Sequence, residues 1–264
     1  SFTPQKLRVG LANEFAQENA VGIAAMVKAD RLQMEAIARE FSEKIGVPVR
    51  VGGVEADMAI LGALTTPGSA KPLAILDMGA GSTDASIINK EGEIHSIHLA
   101  GAGNMVTLLI QSEMGLDSFE IAEDIKKYPL AKVESLFHIR HEDGTSEFFD
   151  KPLPAHIFAK VVVLKEDHML PIEGKHSIEQ SRFIRRMAKA QVFVTPAVRA
   201  LEKVSPTGNV RDIQFVVLVG GSALDFEVPQ LITDALSQFR VVSGRGNIRG
   251  TCGPRNAVAT GLVL

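Results

Sequence analysis

The sequence is poor in cysteine and in two of the three aromatic residue types. Its 264 residues include no tryptophan, one tyrosine and one cysteine, alongside 13 phenylalanines. A single cysteine, Cys252, excludes an internal disulfide framework, and such scarcity is typical of a reducing cytoplasm. We predict that Cys252 is a small buried or partly buried residue, because no basic partner for a thiolate is evident.

Long apolar runs and an excess of positive charge are also absent. No stretch of 18 apolar residues occurs, so no membrane-spanning helix is predicted. The net charge is −3 and the isoelectric point about 6.2, so the chain lacks the overall excess of positive charge that is typical of a nucleic-acid-binding protein. With 45% hydrophobic and 22% charged residues, the composition is that of an ordinary globular protein.

Both ends of the sequence suggest a segment of a longer protein. Ser1 stands where an initiator methionine would, no signal peptide follows it, and the chain stops in an apolar run at Leu264. A length of 264 residues fits one large domain or two small ones.

Strands and helices alternate along most of the chain, which predicts an α/β fold. Apolar residues recur at near-helical spacing from residue 32 onwards, and we predict a helix over residues 7–45 that ends before Gly46. A capping box of Ser177 and Gln180 starts the longest later helix, and residues 133–173 are the least regular part. The other predicted strands are 48–51, 73–76, 84–88, 93–98, 161–164, 213–219 and 241–242, and the other helices are 55–64, 105–111, 118–127, 177–194, 228–239 and 255–264.

The sharpest functional pattern is the segment 77–84 (DMGAGSTD), which lies between two predicted strands. Its small residues allow a tight turn whose N–H groups can point at an anion, and Ser82 and Thr83 add hydroxyl donors. Its two carboxylates, Asp77 and Asp84, can hold hydrated Mg²⁺ or orient an attacking water. Read alone, the segment also fits a glycine-rich hairpin turn with aspartate as a turn former.

Two further segments carry weaker signals. A hydrophobic strand runs into Gly220-Gly221-Ser222, where the flat face of a ligand can approach the backbone, although an ordinary strand-to-helix turn fits equally well. Glu123, Lys126 and Lys127 project to one side of a helix, a pattern also typical of a solvated charged face. The chain contains neither a P-loop nor a dinucleotide-binding fingerprint.

Other chemically suggestive residues are assigned to ordinary roles. His138 and His141 near Asp143 lack a third and fourth metal ligand at suitable spacing, which favours a solvated hairpin over a metal site. We expect residues 148–149 (Phe-Phe) to belong to local core. A basic helix face is expected to lie in solvent or to meet an acidic partner. Its residues are Arg182, Arg185, Arg186 and Lys189.

In this order, three of the segments resemble the second half of ATPases of the actin and heat-shock-chaperone superfamily. Residues 77–84 resemble the second phosphate loop (DLGGGTFD), and residues 218–222 (LVGGS) resemble the adenosine loop. Residues 123–127 (EDIKK) fall where chaperones place a Glu-x-x-Lys-Arg helix. Residues 53–62 resemble the connecting helix (EPTAAAIAYG) and residues 253–261 the closing helix (NPDEAVAYG), so five matches cover nearly the whole chain.

Departures from the chaperone pattern indicate one family within this superfamily. Ala80 and Ser82 replace glycine and threonine, Arg255 replaces an acidic residue, and residues 133–173 do not resemble the chaperone lobe. As a whole, the chain is similar to the large subunit of diol dehydratase and glycerol dehydratase reactivating factors, which are chaperone-like ATPases. The resemblance implies an α/β fold consisting of an actin-like (ribonuclease H-like) ATPase lobe, residues 1–103 and 206–264, with an inserted smaller α+β subdomain, residues 104–205.

The resemblance also implies a site for ATP or ADP and Mg²⁺, with roles for individual residues. Asp77 would hold Mg²⁺ through water, Ser82 would donate its hydroxyl, and Asp84 would order water or the loop, which makes these three the expected catalytic group. The expected nucleotide ligands are Gly79, Gly81 and Ser82 at the β- and γ-phosphates, Gly101 and Gly103 at the border, Glu123 and Lys126 at the ribose, Asp124 and Ile125 lining the site, Gly220, Gly221 and Ser222 at the adenosine and α-phosphate, and Arg255 stacked on adenine.

The implied function is ATP-dependent release of damaged cobalamin from an adenosylcobalamin-dependent diol or glycerol dehydratase. The implied partners are a small reactivase subunit and the dehydratase, in a cytoplasmic hetero-oligomer that can associate with a bacterial microcompartment, and neither nucleic acid nor membrane is expected. Two alternatives share the fold: a nonenzymatic assembly or filament protein, and a small-molecule kinase. Because this fold grips phosphates between two lobes and the chain supplies one, we expect it to bind ATP weakly and to hydrolyse almost none alone.

Overall fold

The computed structural model describes residues 30–174 and 176–264, in which strands and helices alternate as the hydrophobic pattern predicts. The helices are α1 (Arg31–Ile45), α2 (Glu55–Ala63), α3 (Gly103–Met114), α4 (Phe119–Lys127), α5 (Ile178–Lys189), α6 (Thr195–Val204), α7 (Val228–Ser237) and α8 (Ala257–Gly261). The strands are β1 (Leu73–Met78), β2 (Ser82–Ile88), β3 (Ile94–Ala100), β4 (Leu130–Ser135), β5 (His138–His141), β6 (Ser146–Phe148), β7 (Val161–Leu164), β8 (Met169–Pro171), β9 (Phe215–Val219) and β10 (Val242–Arg245). No helix of the described residues is both long and apolar enough to cross a bilayer.

The first sheet has the strand order β10-β9-β1-β2-β3. Strands β1, β2 and β3 form an antiparallel meander, whereas β9 runs parallel to β1 and β10 runs parallel to β9. Strand β1 has a continuous apolar run because both of its faces are covered. Ala74 and Leu76 pack into a core with α3, α6 and α7, while Leu73 and Ile75 pack with α2 and α8.

The two helices matched at residues 53–62 and 253–261 cross in direct backbone contact. A Cβ on Gly62 would collide with the carbonyl of Ala257 in α8, and a Cβ on Gly261 would collide with the carbonyl of Met58 in α2. Since no side chain fits at either crossing point, these two positions require glycine. The pair covers one face of the first sheet, where it packs on side chains of β1 and β9.

Residues 133–173 form most of a second sheet, so the expectation of an irregular middle is wrong. Its order is β6-β5-β4-β7-β8, and all neighbours are antiparallel. The strands at the sheet's edges have only three residues each and present almost no periodic signal. The predicted strand at 161–164 and the turn at Gly144, where φ is 91°, are confirmed.

Helices α5 and α6 are joined by a π-helical turn, Ala190–Val194, in one continuous helical rod. The predicted capping box is confirmed, because the Ser177 hydroxyl accepts from the Gln180 N–H while the Gln180 side chain accepts from the Ser177 N–H. Pro196 is the second residue of α6 and directly follows the π-helical turn, and because it has no N–H it cannot donate to a carbonyl of that turn. The π turn carries Phe193, which faces the candidate site described below.

Several local expectations are wrong. Residues 48–51 form no strand, whereas the first helix ends at Ile45, before Gly46, as expected. Cys252 is exposed in the loop before α8. Phe148 is exposed at the edge of the second sheet, where it stacks on His138, whereas Phe149 packs against the core of that sheet as expected. The part of the predicted first helix before residue 30 lies outside the described residues.

Candidate functional site

The segment with the sharpest sequence pattern forms the hairpin turn (residues 79–81) between β1 and β2. Asp77 pairs with Asp84 in the antiparallel register. The turn closes as the N–H of Gly79 donates to the carbonyl of Ser82 over 2.9 Å. The N–H groups of Ala80 and Gly81 have no acceptor within residues 30–174 and 176–264, so they are available to an anion.

Neighbouring elements hold all three carbonyls of the hairpin turn. Donors from the loop before α3, from the start of α3 and from the segment after β9 therefore fix the direction of its free N–H groups. The bonds are Gly101 N to Gly81 O (2.8 Å), Gly103 N to Gly79 O (3.2 Å), Asn104 N to Ala80 O (2.8 Å) and Ser222 Oγ to Gly79 O (3.0 Å). The N–H groups of Gly101 and Gly103 are thus committed to the turn rather than to a ligand.

Two carboxylates flank the turn, of which Asp84 is buried and Asp77 half-buried. Burial raises the pKa of Asp77 to about 6, and repulsion from Asp84 and Glu55 adds to the effect. Burial also raises the pKa of Asp84, although its hydrogen bond with His98, 2.5 Å between Oδ1 and Nδ1, opposes the rise. The three carboxylates form a patch of like charge whose repulsion a cation would relieve.

The adenosine-loop segment (residues 220–222) follows β9 and lies against the hairpin turn. Val219, the last residue of β9, pairs with Asp77 in the parallel register. Gly220 has a φ of 87°, and a Cβ there would collide with the carboxylate of Asp77 and the carbonyl of Met78. Glycine is required at this position both for its backbone conformation and for the close approach.

A charged cluster on α4 forms the opposite wall. Lys126 Nζ donates to Glu123 Oε2 (2.5 Å), Thr107 Oγ1 (2.8 Å) and the carbonyl of Gly103 (3.0 Å). Burial alone would raise the pKa of Glu123, but hydrogen bonds from Lys126, Lys127 and Thr107 outweigh it and lower the pKa to about 2. Glu123 therefore stays ionised over the whole physiological pH range, and donors on α3 and α4 hold its carboxylate in place.

The hairpin turn, the adenosine-loop segment and α4 enclose a cavity of about 340 Å³. This volume lies within the usual range of small-molecule sites. Several of the residues expected from the sequence line it, and Ala80 does too. The expected residues on its wall are Gly79, Gly103, Glu123, Lys126, Gly221, Ser222 and Arg255.

The cavity is also lined by residues that the sequence did not suggest as ligands, among them Lys189, Phe193 and Asp225. Lys189 is 1% exposed, and its Nζ donates to Asp225 Oδ1 (2.8 Å) and Glu227 Oε2 (2.9 Å). The expected solvation of the basic helix face is therefore wrong for Lys189, because the loop after β9 supplies acidic partners.

Arg185, one turn earlier on α5, is fully buried in the same ion network. Its Nε donates to Glu227 Oε2 (2.7 Å) and its Nη2 to Glu142 Oε1 (2.8 Å). Glu142 follows β5, so the network connects the cavity wall to the second sheet. The solvation expected for Arg185 is wrong for the same physical reason as for Lys189.

The family model of the diol dehydratase reactivase ATPase-like domain matches residues 1–264. The chain belongs to this family. It is 66% identical over 261 residues to the propanediol dehydratase-reactivating factor large subunit of Citrobacter freundii, and the match covers 99% of this chain and 43% of that relative. The chain therefore spans less than half the length of the curated relatives it matches.

Solved structures place this reactivase-family chain in the actin-like fold. A diol dehydratase-reactivating factor in nucleotide-free form matches with a TM-score of 0.82 and 66% identity, over 89% of this chain and 39% of that one. ADP-bound MreB5 of Spiroplasma citri matches with a TM-score of 0.54 and 22% identity, over 89% of this chain and 65% of that one. At this low identity the second match shows the fold alone, and it confirms the expected fold class.

Two expected ligands of this reactivase-family chain do not face the cavity. Ile125 is fully buried in the hydrophobic core, and Asp124 accepts from Lys165 Nζ over 3.0 Å. Both point away because residues 123, 126 and 127 share one face of α4, whereas 124 and 125 lie on others. Six further expected residues do not line the cavity either. They are Asp77, Gly81, Ser82, Asp84, Gly101 and Gly220.

Proposed function

We propose that this chain is the ATP-binding part of the large subunit of a diol or glycerol dehydratase reactivating factor. In this role it uses ATP to release damaged cobalamin from an adenosylcobalamin-dependent dehydratase in the cytoplasm. Its partners are the small reactivase subunit and the dehydratase, in a hetero-oligomer. The observation that carries the proposal is the convergence of the hairpin turn, the adenosine-loop segment and α4 on one cavity.

The nucleotide lies with its phosphates at the hairpin turn. The free N–H groups of Ala80 and Gly81 and the hydroxyl of Ser82 donate to the β- and γ-phosphate oxygens. Gly79 donates nothing to the phosphates, because its N–H closes the turn and so helps to fix the shape of the turn. Glu123 and Lys126 on α4 contact the ribose hydroxyls. The phosphate groups are thus oriented by backbone N–H donors, and neighbouring elements hold these donors in place.

The base lies against the adenosine-loop segment, where Gly221 leaves a flat surface. The guanidinium of Arg255 lies beside it, with Nε 3.8 Å from the place where a Cβ of Gly221 would stand. A planar guanidinium stacks well on an aromatic ring, so Arg255 covers one face of adenine.

Magnesium fits the carboxylate patch. Mg²⁺ usually keeps several waters and takes one or two carboxylates together with substrate phosphates. Asp77, with its charge disfavoured by burial and by Asp84 and Glu55, is the residue that gains most from a nearby cation. When bound, the ion would neutralise charge on the phosphate oxygens.

Asp84 orders the attacking water beside the γ-phosphate, and His98 fixes the direction of its carboxylate through their hydrogen bond. Phosphoryl transfer needs donors preorganised on both sides of the developing charge. The described residues supply donors from the side of the hairpin turn. We therefore propose that the chain alone binds ATP weakly and hydrolyses it slowly.

The test uses the complete large subunit carrying this chain, the small subunit and a dehydratase inactivated by damaged cobalamin. Recovery of dehydratase activity is measured after free adenosylcobalamin is added, with and without ATP. Recovery should require ATP and should be lost in Asp77→Asn but kept in the exposed control Asp150→Asn. If ATP gives no recovery, the proposal fails, and ATP-dependent polymerisation or phosphorylation of a small molecule would identify the alternative function.

A further inference from the structure

We propose that Asp225 reads the base: its cavity-facing carboxylate oxygen accepts a hydrogen bond from the exocyclic amino group of adenine, so that the site selects adenine over guanine nucleotides. This inference rests on the proposed ATP site and names the residue that gives the site its base specificity. Asp225 lies in the turn between β9 and α7 and lines the cavity.

One oxygen of Asp225 is fully engaged. Its Oδ1 accepts from Lys189 Nζ (2.8 Å), from the N–H of Glu227 (2.8 Å) and from the N–H of Val228 (3.0 Å). Its Oδ2 accepts from no donor within the described part of the chain. The side chain is 11% exposed, so the second oxygen is held in a fixed direction and keeps its capacity for a ligand donor.

The end of the cavity near Asp225 suits a base rather than phosphates. A carboxylate repels phosphate, and apolar side chains of Phe193, Leu224 and Val228 line the same end. Lys189 offers no charge to a phosphate, because its Nζ bonds to Asp225 and Glu227 and lies 4.4 Å from the centroid of the Phe226 ring. The hairpin turn, with its free N–H groups, forms the phosphate end.

An acceptor at this position distinguishes the two purines. Adenine presents an amino donor at the position where guanine presents a carbonyl acceptor. A carboxylate held at this position therefore accepts from the amino group of adenine and repels the carbonyl oxygen of guanine. A hydrogen bond to a charged group corresponds to about a 10- to 100-fold preference in binding.

The test measures competition by ATP, GTP and purine riboside triphosphate against a fluorescent ATP analogue on the complete large subunit. Purine riboside triphosphate keeps the ribose and phosphates of ATP but lacks the amino group. We expect the unmodified protein to bind ATP about 10- to 100-fold more tightly than either of the other two.

The informative variant is Asp225→Asn, in which the engaged oxygen stays with its three donors and the amide nitrogen faces the cavity as a donor. This variant should lose the preference for ATP and bind GTP better than the unmodified protein does. Asp234→Asn is the matched control, because Asp234 lies on the exposed side of α7, outside both the cavity and the ion network. It should keep the preference for ATP.

An equal loss of affinity for all three nucleotides in Asp225→Asn would overturn the proposal, because it would place Asp225 at the ribose or in loop support. Equal binding of the three by the unmodified protein would overturn it as well. If Asp225→Asn fails to fold, as judged by thermal unfolding, the series on the unmodified protein decides alone. Absence of any nucleotide binding would overturn the proposed function too, whereas binding without base preference would overturn this inference only.

Discussion

Replacing Asp77 by asparagine should make the folded chain more stable, and it should remove the ATPase activity that we propose for the complete large subunit. The pKa of Asp77 is about 6 in the folded chain against 3.8 as the reference value, because burial, Asp84 and Glu55 all disfavour its charge. This difference corresponds to about 3 kcal/mol of destabilisation once the carboxylate is ionised in both states. A buried asparagine amide without a partner costs about 1 kcal/mol, so we expect a net gain of about 2 kcal/mol at neutral pH.

The pH dependence tests the cause of this gain. Because the folded chain binds the Asp77 proton more tightly than the unfolded chain, its contribution to stability is fully present below pH 3.8 and is lost as the pH rises through about 6. Asp77→Asn removes this loss. The difference in unfolding free energy between variant and wild type should therefore grow by about 1.4 kcal/mol from pH 5 to pH 8.

The assay is urea unfolding followed by far-ultraviolet circular dichroism, since a chain with no tryptophan and one tyrosine gives a poor fluorescence signal. No nucleotide or Mg²⁺ is added. Asp150→Asn, in an exposed loop position after β6, controls for the general effect of the substitution. A stability difference for Asp77→Asn that does not change between these pH values would refute the assigned burial and charge repulsion, whatever happens to the ATPase rate.

Four further substitutions test the packing and the polar contacts around the cavity. Gly220→Ala should lower the unfolding free energy by about 2 kcal/mol or more and abolish ATP binding, because its φ and the contact with Asp77 exclude a Cβ. Gly81→Ala, with open space around it, should change the urea midpoint little. Arg185→Met should lower the unfolding free energy by about 3–5 kcal/mol, since it leaves buried carboxylates unpaired, and an unchanged urea midpoint would contradict this account. Glu123→Gln should weaken ATP binding about tenfold in isothermal titration by removing one charged hydrogen-bond partner, and unaltered affinity would exclude Glu123 from the ribose site.

The parts of the fold and site that could be predicted from the sequence depend on local signals. An apolar run predicts strand β1, a capping box predicts the start of α5, and small residues between two strands predict the hairpin turn. The resemblance to the actin and chaperone superfamily then put the adenosine-loop segment and α4 near the same turn, and both line one cavity with it. These features could be predicted because each depends on residues that are close together in the sequence.

The second sheet and the ion network could not be read in this way. Strands of three to six residues carry too few alternations for a period, and their pairing partners lie elsewhere in the chain. Arg185 meets Glu227 across 42 positions of sequence, so the spacing on α5 alone could not reveal the partner. One signal was present: Arg185 and Lys189 share a helical stripe with the buried residues Ile178, Ser181, Ala188 and Val192, which places their side chains toward the core.

The burial of two cations beside the cavity requires a reason other than stability. Hydrophobic residues of similar volume would fill the same space at a smaller desolvation cost, so a buried ion network is weak evidence of a stabilising role. Apolar side chains could not donate to Asp225 Oδ1, and without Lys189 that oxygen would lose its side-chain donor. Arg185 in turn holds Glu227, the second carboxylate that Lys189 contacts. The network is therefore best explained by the direction it imposes on the loop after β9, which carries the Asp225 oxygen that we propose for recognition of the base.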